Sequence, residues 1–252
     1  MRRSVMLLFL LAVSDTSAAA QYTYIVPVSG FAFGFHSQYF TSVTAFNPNS
    51  VPATLRYEAV YPAPGNTNCA LPASTTVLPR GLVGLSVACF NLHALLLTSD
   101  QQLRLVEEVN ANFISMDAAG NSFGRPELEP VEVATDWIVP ERDVMIPLVR
   151  ILEPTDRANL ILVNPNDFLL TVTLNVERQE LGESVDSTLQ VEPRSFLMSP
   201  VVPIPNPISS GFPQGLEGIH RITLRANGKF QAGVSNTDGW GTIYRPAIPL
   251  QP

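Results

Sequence analysis

Apolar and polar residues alternate with a period of two along much of this chain. The clearest run, Leu170-Thr171-Val172-Thr173-Leu174-Asn175-Val176, puts four aliphatic side chains on one face and two threonines and an asparagine on the other. Such alternation marks a strand with one face in a core and one in water. Elsewhere β-branched and aromatic runs are broken at short intervals by 22 prolines and 15 glycines. The pattern predicts an all-β chain, with strands over 22–28, 39–46, 53–61, 74–78, 83–89, 103–109 and 111–117. A second series is predicted over 144–149, 158–163, 169–178, 187–191, 195–202, 219–226, 230–235 and 242–248. Helix signals are few. Phe90-Asn91-Leu92-His93-Ala94-Leu95-Leu96 fits one or two helical turns capped by Asn91, with the Pro-rich stretch 203–213 as its later counterpart, a crossover between sheets.

The pattern is written twice. Phe46-Asn47-Pro48-Asn49 returns 117 positions later as Val163-Asn164-Pro165-Asn166, and Gly124-Arg125-Pro126 returns 120 positions later as Tyr244-Arg245-Pro246. The period is the size of one immunoglobulin domain and far exceeds a solenoid repeat. The expected fold is therefore two tandem Ig-like β-sandwich domains, 21–128 and 144–252. A short acidic linker, 129–143, joins them and carries a last strand over 131–139. Trp137 is expected to pack at the joint. Both Asn-Pro-Asn segments are expected as hairpin turns, with proline fixing φ and the second asparagine tolerating a left-handed conformation. Ala226-Asn227-Gly228-Lys229 is a further hairpin signal, of type I′.

The N-terminus reads as an export signal. Arg2 and Arg3 precede an apolar run from Val5 to Val13, and Ser17-Ala18-Ala19-Ala20 precedes Gln21, so residues 1–20 are expected to be cleaved off as a signal peptide. The run is too short for a transmembrane helix, which needs roughly twenty apolar residues. The mature chain is then secreted, to the periplasm, cell surface or medium, and spans no membrane. Its removal takes the formal charge from −7 to −8, since Arg2, Arg3 and Asp15 leave together. Lys229 is the only lysine and the arginines are scattered, which excludes nucleic acid as a partner.

Cys69 and Cys89 are the only cysteines. In an oxidising compartment an isolated pair is expected to close into a disulfide. Their spacing, with no paired histidines, fits no zinc site, so no metal or cofactor is expected. The linker acids Glu127, Glu129, Glu132, Asp136, Glu141 and Asp143 are spread rather than set at calcium-loop spacing.

Catalytic patterns do not hold together. Gly120-Asn121-Ser122-Phe123-Gly124 has the letters of a nucleophile elbow, but it joins β segments, and its counterpart Gly239-Trp240-Gly241-Thr242-Ile243 lacks the serine. His36, His93 and His220 form no ordered triad and are expected at the surface or in loops. Glu107 and Glu108 adjoin in a strand and so point to opposite faces, which prevents a paired acid and base. No catalytic residues are expected, and the chain reads as a non-enzyme.

The segment Gly30-Phe31-Ala32-Phe33-Gly34-Phe35-His36-Ser37-Gln38-Tyr39-Phe40 alternates aromatic and small residues, and the second repeat has nothing like it. As an aromatic loop it plugs the sandwich end or contacts a partner, since aromatics bury large area at small entropic cost. Phe31, Phe33, Phe35, Tyr39 and, from the second repeat, Trp240 are the candidate binding residues.

An Ile-Pro opening strand (Ile25-Val26-Pro27, Ile146-Pro147), a strand running into Asn-Pro and a Leu-Pro-Arg or Glu-Pro-Arg turn (Leu78-Pro79-Arg80, Glu192-Pro193-Arg194) recur in both halves, and an Asp-Gly hairpin, Asp238-Gly239, is expected near the end. In these features the chain resembles the uncharacterised tandem Ig-like repeats of exported proteins from acidobacteria and related bacteria. The resemblance implies a sandwich in each half and no catalytic residues. The expected function is a non-enzymatic structural or interaction module serving adhesion, surface structure or filament assembly through strand edges and the aromatic loop. Its partner would be a protein or glycan at the cell surface, or a second copy. A carbohydrate-binding module using the first-repeat aromatics is the alternative. A periplasmic assembly chaperone comes third, since such chaperones have two dissimilar domains and a basic cleft.

Overall fold

A computed structural model describes residues 21–34, 37–63, 69–85, 88–89, 91–113, 115–116, 122–123, 131–151, 157–201, 218–237 and 242–250. Among these, all regular structure is strand. The first half holds β1 (Tyr22–Gly34), β2 (Ser37–Phe46), β3 (Ala53–Pro62), β4 (Cys69–Ala70), β5 (Ser74–Val77) and β6 (Leu82–Leu85). It continues with β7 (Ala88–Cys89), β8 (Asn91–Ser99), β9 (Arg104–Phe113), β10 (Ser115–Met116), β11 (Ser122–Phe123) and β12 (Val131–Glu132). The second half holds β13 (Val144–Ile151), β14 (Arg157–Asn164), β15 (Leu170–Arg178), β16 (Glu183–Val191) and β17 (Ser195–Pro200). It ends with β18 (Gly218–Ala226), β19 (Gln231–Thr237), β20 (Thr242–Pro246) and β21 (Ile248–Pro249). No helix among the described residues is long and apolar enough to cross a membrane.

Every ladder among the described residues is antiparallel, and the pairing scheme of one half is repeated in the other. The row β1-β8-β3-β5 has its counterpart in β13-β18-β15-β16. The row β6-β2-β9-β12 likewise returns as β17-β14-β19-β20. Even the bulges match: β1 slips register between Val26 and Ser29 around Pro27, and β13 between Ile146 and Val149 around Pro147. Proline supplies no N–H to the ladder, which is why each opening strand bulges there. In the first half, extra pairs from Ala32↔Tyr39 to Gly34↔Ser37 join β1 to β2 and merge its two rows into one sheet. The segment read as an aromatic loop is thus a β-hairpin in its described part.

The connectivity differs from the constant-type immunoglobulin order, in which ABED and CFG sheets pair the first strand with the second and the sixth with the seventh. Here the first strand of the second half, β13, pairs with the sixth, β18, while the second, β14, pairs with the fifth and seventh, β17 and β19. Two further expectations change. Neither Asn-Pro-Asn turn makes a hairpin, because β2 and β3 lie in different rows, as do β14 and β15. The Asn227-Gly228 turn also crosses between sheets, from β18 to β19.

Three buried clusters follow. One lies between the rows of the first half, with Tyr24, Val26, Val43, Leu55, Leu95 and Leu105. A second lies between the rows of the other half, with Val144, Leu160, Val172, Leu174, Leu224 and Val234. The third mixes Val28, Tyr61, Leu92, Ala94 and Val109 from the first half with Ile161, Val163, Phe196 and Tyr244 from the second. The halves therefore stack through a shared apolar joint, with β3, β8, β1 and β9 on one side and β17, β14, β19 and β20 on the other.

The joint explains why 90–96 reads as helix. Residues 91–96 form most of β8, whose Leu95 and Leu97 face the first core while Leu92 and Ala94 face the joint; Phe90 lies outside the described residues. A strand covered on both faces loses its alternation and reads as a continuous apolar run, which periodicity cannot tell from a helix. Its structural counterpart is β18 rather than the Pro-rich stretch 203–213, which lies outside the described residues. Linker residues 131–139 are shared as well: Val131 and Glu132 pair with β9, Ala134 bridges Ile25, and Ile138 bridges Phe230 of the second half.

Candidate functional site

The duplicated motifs build the turns. Asn47 and Asn164 are both fully buried. Asn47 Nδ2 donates to the carbonyls of Val51 and Val77, at 2.8 and 3.0 Å. Asn164 Nδ2 reaches those of Phe168, Val191 and Glu192, at 2.9, 3.0 and 2.9 Å. Each side-chain oxygen accepts from the backbone and side-chain amides of the second asparagine, Asn49 or Asn166. This is an Asx turn, and positive φ falls instead on the partner turn, at Arg80 (56°) and Arg194 (51°). Gly228 is required for space, since a Cβ there would lie 2.8 Å from Asn166 Nδ2 and from Phe168 Cζ.

His93 and His220 also occupy matching positions, opposite the bulge residues Ser29 and Val149. Neither is at the surface as expected; both are buried. His93 Nδ1 lies 3.3 Å from the Asn91 carbonyl and so carries the proton. Burial lowers the pKa of both imidazoles; beside His220 the Arg178 charge acts in the same direction. Gly30, at φ 103°, makes room for the His93 ring, which a Cβ would meet at 2.9 Å. His36 lies outside the described residues.

Sequence reasoning put Glu107 and Glu108 on opposite faces, and they are. Glu108 accepts from the Ser42 hydroxyl at the exposed face, whereas Glu107 is buried and accepts from the Val28 amide at 3.2 Å, at the β1 bulge. Burial raises its carboxyl well above the ordinary carboxylate value, with the Val28 bond opposing. Tyr244 of the second half is buried nearby, its phenol raised by burial and then by the Glu107 charge. At the rim, Trp137 packs edge-on to Tyr61 with ring centroids 5.9 Å apart, at the joint as expected. Arg194 forks onto Asp167 and its charge also reaches the Tyr61 phenol.

The predicted binding residues are not gathered into one described site. Phe31 and Phe33 take alternate positions of β1, and Tyr39 of β2 is opposite Ala32 rather than either phenylalanine. Phe35 and Trp240 lie outside the described residues. Cys69 and Cys89, by contrast, are direct register partners in the β4-β7 ladder. Ser122, of the nucleophile-like letters, pairs with Met116 in a two-stranded ribbon. The outer face of β15, β16 and β18 carries a shallow groove of about 510 Å³, lined among others by Thr173, Asn175, Asp186, Thr188, Thr223 and Arg225. Arg225 forks onto Asp143 there at 2.7 and 2.8 Å.

No family model matches the chain. No curated protein matches it either. A solved structure titled "Crystal Structure of Thermotoga maritima 1070" is similar over 46% of this chain and 97% of its own, at 12% identity and a TM-score of 0.35.

Proposed function

We propose that this chain is an exported, non-enzymatic structural or interaction module. In this reading residues 1–20 are removed, two tandem sandwiches of Ig-like size with their own strand order form the mature chain, and Cys69–Cys89 staples the first. What supports it is the joint. A duplicated unit stacked on its own copy through a third buried cluster makes a stiff spacer, because relative motion would expose that apolar surface to water. Adhesion and surface structure call for such stiffness. The test is fractionation of expressing cells with mass analysis of the N-terminus and surface cross-linking. A chain beginning at Gln21 outside the cytoplasm and cross-linked to surface partners supports the module; a cytoplasmic chain retaining Met1 contradicts it.

A second reading, glycan binding, draws on the aromatic hairpin, where Phe31 and Phe33 sit two positions apart on one strand. Glycan-array binding lost on replacing Phe31 and Phe33 with alanine would favour it over the first.

A further inference from the structure

The stacked joint uses one outer face of each half, and a heterologous contact of this kind propagates into a filament unless its free counterparts are blocked. Those counterparts are more polar. On the second half the face equivalent to β8 presents Arg221, Thr223 and Arg225 beside Ile219, and on the first half the face equivalent to β14 presents Ser42 and Thr44 beside Phe46 and the exposed Leu82. Repeating the internal stack would bury those guanidinium and hydroxyl groups, which disfavours it and directs attention to the sheet edges.

Exposed edges are ordinarily short, or interrupted by proline, lysine, bulges or inward charges. Among the described residues the edge strands β5 and β6 have four residues each, β12 and β21 two, β17 ends in Pro200 and β20 in Pro246. β16 differs. It runs nine residues in unbroken register with β15, has no proline or lysine, and among the described residues has no strand on its other edge. The positions facing the core side are Glu183, Val185, Ser187, Leu189 and Val191, so the only charge among them is at the strand end. Its counterpart β5 lies between Pro72 and Pro79.

We propose that β16 pairs antiparallel with β16 of a second copy, about a two-fold axis at Ser187; this rests on reading the chain as an interaction module. That register sets Val185 opposite Leu189, Asp186 opposite Thr188 and Glu183 opposite Val191, so no like charges are opposed and two apolar pairs form. Val185 is 51% exposed in the single chain and gains a cross-strand neighbour. The ends match too. Leu181, 59% exposed, arrives beside Pro193 of the other copy, next to the turn that carries the exposed Phe168. Self-pairing about one axis satisfies both ends at once, which a single extended peptide of another protein does not.

The test is light scattering of the mature chain from micromolar to millimolar concentration, with Val185→Lys and Ser187→Cys beside it. Val185 is exposed, so V185K keeps the fold, which circular dichroism checks. Dimers of the parent, lost in V185K, and an S187C–S187C cross-link between copies on mild oxidation are expected. A parent that stays monomeric overturns the proposal, even if it binds another protein along β16 and so leaves the module reading intact. A V185K variant that dimerises like the parent overturns it as well, by placing the contact elsewhere.

Discussion

Phe196 and Leu82 occupy the same position of the two halves, each paired with the residue just before an Asn-Pro-Asn turn, yet Phe196 is 1% exposed and Leu82 71%. The difference lies in which outer face the joint covers. Phe196→Ala should therefore destabilise the chain by about 3–5 kcal/mol, the range for emptying a buried aromatic site. Leu82→Ala should stay within about 0.5 kcal/mol, as for other surface positions. Denaturant titration of both variants measures the contrast.

Asn164 is a buried polar group whose bonds hold the β14-β15 connection against the Glu192-Pro193-Arg194 turn. Asn164→Ala leaves backbone carbonyls unpaired, at about 1–3 kcal/mol for each that water cannot reach. Asn47→Ala should act in the same direction in the first half, where Asn47 makes the matching contacts. Melting temperatures of the two variants, each below the parent, check the duplication at the level of single bonds.

Legibility in the sequence tracked exposure. β15, with one wet face, alternates, and its expected span of 169–178 matches the observed Leu170–Arg178 to within a residue, whereas the mostly exposed β16, expected over 187–191, already begins at Glu183. β8 and β14, each buried on both faces, lose alternation; the repeated Asn-Pro ending still marks β14 as a strand, whereas β8 ends in no such motif and reads as helix. The same comparison held a usable signal for the joint: β8 and β14 each carry an unbroken apolar run, Ala94–Leu97 and Leu160–Val163, while their counterparts β18 and β2 mix polar residues in at those positions. Strand order was not legible, since Asn-Pro-Asn and Asn-Gly turns read alike whether they join neighbours or cross between sheets. The two histidines are 127 positions apart, close to the repeat length, and that near match was the missed cue to their burial.

Stability should depend on pH through His93 and His220. Their folded pKa values lie below the ordinary 6.5, so the unfolded chain binds protons first, and stability falls as pH drops below about 6.5 towards the folded values. The histidine contribution to stability should fall between pH 7.5 and 5.5, values chosen to span about one unit either side of that ordinary pKa. The double variant His93→Gln, His220→Gln should lose less over the same interval, measured by urea titration at each pH.

Glu107 acts with the opposite sign. Its folded pKa lies above the ordinary 4.5, so the folded chain holds the proton longer, and stability falls as pH rises from 4.5 through the folded value. Glu107→Gln keeps the shape without the titration. It should gain stability relative to the parent as the buffer becomes alkaline, and show little difference near pH 4.5.

Direct register of Cys69 and Cys89 places their Cα atoms at the separation of opposed antiparallel residues, about 4.5–5.5 Å, within the range a disulfide spans. Non-reducing peptide mapping of the chain after expression in an oxidising compartment should recover the two cysteines linked. Reduction should lower stability by about 3 kcal/mol in the chain-entropy account of such a loop.

The account depends on the two halves being held as one body by the apolar joint, and a double-mutant cycle across it measures that contact. Tyr61→Ala in the first half and Phe196→Ala in the second, singly and together, should show a coupling energy of about 1 kcal/mol or more, as for residues packed in one cluster. Strictly additive effects would mean that the halves do not meet through these residues, and would contradict the stacked arrangement.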